Sequence, residues 1–94
     1  MNTKITYKLG DLSNGDFESY DNEQDSFKAL RASIDDGILE NIQVIGEEGC
    51  PWKNEEEAKE AAEDFFYVRK HTQEFDEDGD LYWEDYEVIA GNIQ

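Results

Sequence analysis

The chain has 94 residues, of which 25 are Asp or Glu and eight are Lys or Arg, so its formal net charge at pH 7 is -17. This charge argues against direct binding to nucleic acid or to an anionic membrane surface, because each phosphate contact would be repulsive. The chain also contains two Trp, five Tyr and five Phe, which are enough to form the core of one small domain spanning residues 1–94.

The N-terminal residues predict a β-hairpin. Ile5, Tyr7 and Leu9 alternate with polar residues, which is the pattern of a half-buried strand. Asn14-Gly15 follows, the commonest two-residue hairpin signal. Residues 17–20 then predict the returning strand.

The next segment predicts a helix followed by a strand. Asp21 is a good N-cap with Gln24 in the capping-box position, and Gly37 is well placed to end the helix. Residues 38–45 are apolar and β-branched, so we expect them to form a strand in the core.

A second helix is predicted to begin after Asn54, with Glu57 at its N3 position. It is expected to run to about residue 66 or 70, with basic residues at the end that favours positive charge. These C-terminal residues are Arg69, Lys70 and His71.

The remaining residues predict a second hairpin. Residues 72–75 lead into the turn sequence Asp-Glu-Asp-Gly, and residues 81–89 form a long aromatic and β-branched run. The predicted order is β-β-α-β-α-β-β. This order indicates an α+β domain, with two helices against a mostly antiparallel sheet.

The acidic residues concentrate in the second half of the chain. Residues 1–47 hold ten acids and four bases, a net charge of -6, whereas residues 48–94 hold fifteen acids and four bases, a net charge of -11. On a helical wheel, residues 55–66 place alanines and phenylalanines on one side and a carboxylate stripe about 120° wide on the other. A solvated helix face usually has Lys four residues from Glu, and each such pair stabilises the helix by a few tenths of a kcal/mol. Here Glu60 instead has an acid four residues away on both sides, Glu56 and Asp64.

Aromatic residues accompany the acids of the last strand. Strict alternation would place Leu81, Trp83 and Asp85 on one side of this strand, packed in the core, and Tyr82, Glu84 and Tyr86 on the other. Tyrosines among acids are typical of protein interfaces. The predicted partner-binding residues are Glu55, Glu56, Glu57, Glu60, Glu63, Asp64, Asp76, Glu77, Asp78, Asp80, Tyr82, Glu84, Asp85 and Tyr86.

One acidic segment partly matches a calcium-binding loop. Asp76, Asp78, Asp80 and Glu87 fit positions 1, 3, 5 and 12 of an EF-hand, but Leu81 occupies position 6, where the sharp turn requires Gly. We therefore expect a solvated hairpin turn, and no metal or cofactor is predicted.

No motif predicts an enzyme. Cys50 is the single cysteine and has acidic neighbours, which oppose thiolate formation, and His71 is the single histidine. The lone cysteine also favours a reducing compartment. We therefore expect a non-enzymatic, cytoplasmic protein.

In size, in charge and in the carboxylate stripe of residues 56–64, the chain resembles the small acidic DNA-mimic proteins of phages and mobile elements. These include anti-restriction and anti-CRISPR inhibitors. The resemblance implies an inhibitor that acts in the cytoplasm of a bacterial host. Its partner would be a basic nucleic-acid-binding protein, such as a nuclease, a restriction enzyme or a CRISPR effector.

Two alternatives stay open at this stage. The chain is also similar to acidic immunity proteins that neutralise a basic toxin nuclease, and it fits a small acidic assembly or regulatory domain unrelated to nucleic acid. The sequence leaves open whether a homodimer doubles the acidic face.

Overall fold

Residues 2–91 of the computed structural model are described here. They form a four-stranded antiparallel sheet in the order β2-β1-β3-β4, with two helices between β2 and β3. The elements are β1 (Asn2–Asp11), β2 (Gly15–Tyr20), α1 (Glu23–Gln43), α2 (Glu55–Phe65), β3 (Phe66–Phe75) and β4 (Leu81–Gly91). The predicted α+β class, with two helices and an antiparallel sheet, is confirmed.

The predicted first hairpin is present, but its loop is the three residues 12–14 and not a two-residue Asn14-Gly15 turn, because Gly15 already pairs with Asp11. Asp11 organises this turn. The Asp11 carboxylate accepts the backbone N–H groups of Ser13 (2.9 Å) and Asn14 (2.7 Å), and Gly15 adopts the left-handed φ of 74° that the turn requires. Burial alone would raise the pKa of Asp11, but the hydrogen bonds from Asn14 and Ser13 outweigh it and lower this pKa below its ordinary value.

The predicted strand at residues 38–45 is wrong, because α1 continues through Gly37 to Gln43. Helical geometry places Ile34, Ile38 and Ile42 on one side of α1, and all three are half-buried. Gly37 lies against α2, where an added Cβ would approach the Ala62 Cβ to 3.3 Å, and it would approach Phe66 Cε2 at the start of β3 to 3.2 Å. The glycine therefore serves close packing between the helices and does not end α1.

The start of α1 also differs by one residue from the prediction. Its N-cap is Asn22 and not Asp21, because the Asn22 side chain accepts the backbone N–H of Asp25 at 2.8 Å. The same side chain donates to the Asp25 carboxylate at 2.9 Å. The first of these bonds satisfies one of the backbone N–H donors that the first turn leaves unpaired, and the second holds the capping side chain in place.

The predicted start of α2 is confirmed. The prediction that the basic residues 69–71 form its C-terminal end is wrong. Asn54 accepts the backbone N–H of Glu57 at 2.9 Å, but the helix ends at Phe65. Arg69, Lys70 and His71 lie in the middle of β3, which pairs with all ten residues of β1. This long ladder outweighs the local helical preference of the segment.

The helices cover one face of the sheet and only part of its length. Leu9, Leu30 and Val68 form the centre of the core between the helices and the sheet. Residues 81–88 of β4 are exposed at every position, so neither face of that stretch is covered. The molecule is correspondingly elongated, with extents of 59 × 22 × 17 Å.

Candidate protein-binding surfaces

The first acidic surface is a carboxylate stripe on α2. Ala58 and Ala62 are buried beneath the helix, as the wheel predicts, whereas the carboxylates face outward. Glu57 accepts the backbone N–H of Lys53 at 2.6 Å, and Glu63 lies 3.9 Å from Lys59. We call the following residues the α2 stripe: Glu56, Glu57, Glu60, Glu63 and Asp64. Glu55 is also exposed, but helical geometry places it outside this stripe.

The spacing of the α2 stripe is close to that of phosphates. Residues 56–64 rise about 12 Å along the helix axis at ~1.5 Å per residue, and the stripe has roughly one carboxylate every 2–3 Å of that length. One strand of DNA carries a phosphate about every 3.4 Å. The linear charge density of the stripe is therefore at least that of a nucleic-acid strand.

The second acidic surface begins at the turn between β3 and β4. The half-buried Asp76 organises this turn, because its carboxylate accepts the backbone N–H groups of Asp78 (2.9 Å) and Asp80 (3.0 Å). Gly79 provides a left-handed φ of 85°. Glu77, Asp78 and Asp80 are exposed. This geometry is the predicted hairpin turn, and among residues 2–91 no group of three or more His, Cys, Asp or Glu is arranged to hold a metal ion.

The turn and the α2 stripe lie at opposite ends of β4. Lys59 and Glu63 of α2 share a groove with Ala90 and Gly91, at the end of β4 farthest from the turn. At ~3.3 Å per residue, the length of β4 separates the two acidic groups by roughly 30 Å. The predicted partner-binding residues therefore occupy two surfaces, joined by the acids of β4.

β4 displays aromatic residues on both faces, so the prediction that one side packs in the core is wrong. Tyr82, Trp83 and Tyr86 are 50%, 46% and 43% exposed. A bulge opposite Glu74 interrupts the alternation, and the Tyr82 hydroxyl lies 3.4 Å from the Glu74 carboxylate. Glu74 pairs with Trp83, so its side chain lies on the Trp83 face of the sheet. The contact with Glu74 therefore places Tyr82 on that face, and not on the Tyr86 face as predicted.

A cluster on the face without helices was missed by the sequence analysis. His71 is buried, its Nε2 lies 3.0 Å from Glu84 Oε1, and its ring stacks on Tyr86 with centroids 4.1 Å apart. The Arg69 guanidinium lies 4.4 Å from the centre of the Tyr86 ring. The cluster was missed because these basic residues were assigned to a helix end, and only pairing with β1 places them on one sheet face.

Asp16 links this cluster to β2. Its carboxylate accepts the Tyr67 hydroxyl at 2.9 Å and forms an ion pair with Arg69. Partial burial would raise the pKa of Asp16, but the hydrogen bonds from Arg69 and Tyr67 outweigh this effect and lower it. The same bond to Asp16 raises the pKa of Arg69, so the pair is ionised at neutral pH.

The charges are distributed unequally over the two sides of the molecule. All 25 acids lie among the described residues, and 21 are exposed, because one (Asp11) is buried and three (Glu63, Glu74 and Asp76) are half-buried. Lys4, Lys8 and Arg69 lie together on the sheet face that the helices leave uncovered. Residues 21–65 carry fourteen acids and four bases, and residues 76–91 carry seven acids and no Lys or Arg. The negative charge is therefore concentrated on the helical layer, the turn and β4.

The segment between the helices is held by side chains rather than by regular structure. The Trp52 indole donates to the backbone oxygen of Asn41 at 2.7 Å, and the Asn41 side chain donates to the backbone oxygen of Ala58 at 3.0 Å. The Cys50 thiol lies 3.2 Å from the backbone oxygen of Trp52. These contacts fix the N-terminus of α2, and with it the stripe, relative to α1.

Comparison with known proteins identifies no relative. No protein-family model matches the chain, and no curated protein or solved structure is significantly similar to it. Within residues 2–91, neither helix has the length and apolar character needed to cross a membrane.

Proposed function

We propose that this protein inhibits a nucleic-acid-handling protein by placing carboxylates where that protein binds phosphates. The acidic surface would occupy the DNA- or RNA-binding groove of a basic nuclease, restriction enzyme or CRISPR effector. The observation that carries the proposal is the exposure of 21 of 25 acids, 19 of which lie in the helical segment 21–65 and in the turn and strand of residues 76–91. A groove that attracts phosphates attracts such a surface for the same electrostatic reason.

The rigidity of the α2 stripe supports the proposal. Its carboxylates are carried by a helix whose N-terminus is capped by Asn54 and whose buried side packs on α1 through Ala62 and Gly37. Preorganised charges lose less conformational entropy on binding than charges on a flexible tail. Like charges at Glu56 and Glu60, one helical turn apart, slightly destabilise the helix, so a binding role would explain their retention.

The proposal is tested by competition. A labelled DNA or RNA duplex is bound to each member of a panel of basic nucleases and effectors, and this protein is titrated into each complex at 0.05 M and 0.3 M NaCl. We expect displacement of nucleic acid from at least one member, with weaker displacement at the higher salt concentration. Unchanged nucleic-acid binding across the panel at low salt would remove the proposal.

A matched pair of variants separates patterned binding from general charge. Glu56→Gln with Glu60→Gln removes two charges from the α2 stripe and spares the capping residue Glu57. Asp21→Asn with Asp36→Asn removes two exposed charges from the region of α1. We expect the first variant to displace nucleic acid at least fivefold less effectively than the second. Equal effects would show that net charge alone accounts for the competition.

A further inference from the structure

The outer edge of β4 is available for strand pairing. Among the described residues β4 pairs with β3 and with no other strand, so alternate backbone N–H and C=O groups point away from the sheet. Bulges at each end bound a regular stretch of six consecutive pairs, residues 83–88. This stretch is exposed throughout and is long enough to pair with a further strand.

The side chains of this edge have a mixed character on both faces. Trp83, Asp85 and Glu87 alternate along one face, and Glu84, Tyr86 and Val88 along the other. Side chains of an added strand would therefore meet both carboxylates and large apolar groups on each face of the sheet. Opposite charges and aromatic groups on neighbouring strands each contribute to pairing.

The same carboxylates oppose pairing with a second copy of the chain. Two β4 strands related by a twofold axis would be antiparallel. Each residue that precedes the axis by some number of positions would pair with the residue that follows the axis by the same number in the other copy. Centring the axis anywhere from Glu84 to Tyr86 places two acids directly opposite each other, such as Glu84 with Glu87 or Asp85 with itself. Like charges in these positions are destabilising.

We propose that residues 83–88 accept an extended basic segment of the target protein as a fifth strand of the sheet. This rests on the proposed function, because the target there is a basic protein. Main-chain hydrogen bonds to the β4 edge provide the affinity, and Lys or Arg side chains of the segment pair with Asp85 and Glu87 on one face and reach Glu84 on the other.

The test uses an eight-residue peptide of alternating Lys and Thr, and the same peptide with its four central amide nitrogens N-methylated. Both carry the same charge, but the methylated peptide lacks the central backbone donors that a strand requires. Affinity is measured by calorimetry, and backbone amide exchange is followed by NMR. We expect the unmodified peptide to bind at least tenfold more tightly and to slow amide exchange within residues 83–88. Equal affinities, or slowed exchange confined to α2, would overturn the proposal.

Charge variants locate the site. Asp85→Asn with Glu87→Gln removes two charges from β4, and Glu56→Gln with Glu60→Gln removes two from α2. We expect the β4 variant to bind the unmodified peptide at least fivefold more weakly and the α2 variant less than twofold more weakly. Sedimentation of the native chain as a dimer, with β4 amides already protected without peptide, would make a second copy the occupant and overturn the proposal.

This experiment and the competition experiment fail independently. Peptide binding at β4 without displacement of nucleic acid from any target would remove the proposed function and leave strand addition standing. Displacement without peptide binding would remove strand addition and leave the mimicry of phosphates.

Discussion

Replacing Asp16 by Asn tests whether the charge of Asp16 stabilises the cluster of Tyr67, Arg69 and Tyr86 on the sheet face without helices. Asp16 accepts hydrogen bonds from Tyr67 and Arg69, and the Asp16 and Arg69 side chains are 22% and 31% exposed. Asparagine keeps the shape of the side chain but removes the charge and turns a donor toward the guanidinium. We expect Asp16→Asn to destabilise the fold even though it lowers the net negative charge.

The magnitude follows from the contacts. A hydrogen bond to a charged group contributes about 1.5–3 kcal/mol, whereas a fully exposed ion pair contributes about 0–1 kcal/mol. Because this pair is partly exposed, the free energy of unfolding should fall by about 1–2 kcal/mol. With a urea dependence near 1 kcal/mol/M for a small domain, the midpoint should fall by about 1–2 M.

The pH dependence of this difference provides the sharper test. The folded-state pKa of Asp16 is lowered, so its stabilisation is complete above the unfolded-state pKa of about 3.9 and is lost as the pH falls through the folded-state value. Urea midpoints of the native chain and of Asp16→Asn should therefore differ at pH 7, and the difference should shrink progressively as the pH falls below about 3.9 toward the folded-state pKa.

The control for this prediction is Glu77→Gln, which removes one charge from an exposed position in the turn. It should leave the midpoint unchanged or raise it slightly, because it relieves self-repulsion. Equal destabilisation by the two variants, or a difference for Asp16→Asn that does not shrink as the pH falls below about 3.9, would contradict this prediction.

Three further predictions concern packing and charge. Val68→Ala, at a fully buried position, should lower the free energy of unfolding by about 2 kcal/mol, whereas Val88→Ala, at a position 39% exposed, should lower it by less than about 1 kcal/mol in the same urea titration. Gly10→Ala should destabilise by about 1–3 kcal/mol, because its Cβ would lie 2.5 Å from both the Tyr67 hydroxyl and the Gly15 carbonyl oxygen, and calorimetry should show a lower Tm. Raising NaCl from 0.05 M to 0.5 M should raise the Tm by several degrees, since the screening length falls from roughly 13 Å to roughly 4 Å, and an unchanged or lower Tm would show that self-repulsion does not limit stability.

The candidate surfaces were only partly predictable from the sequence. The α2 stripe could be predicted, because one helix carries all of its residues and the helical period of 3.6 residues determines which of them share a face. The exposure of β4 could not be predicted, because alternation shows which residues share a side of the strand but not what packs against that side. The exposure of both faces of residues 81–88 follows from where the helices end on the sheet.

Features that depend on a few neighbouring residues could be predicted from the sequence. The Asn54 cap, the turns at Gly15 and Gly79 and the excess of negative charge all follow from local chemistry. Segments whose local signal was ambiguous take their secondary structure from long-range contacts. Residues 38–43 are helical because α1 packs on α2 through Gly37, and Arg69 and His71 are in a strand because β3 pairs along the whole of β1. A short apolar run fits a buried helix or a strand equally well, so contacts from residues distant in the chain determine which one forms.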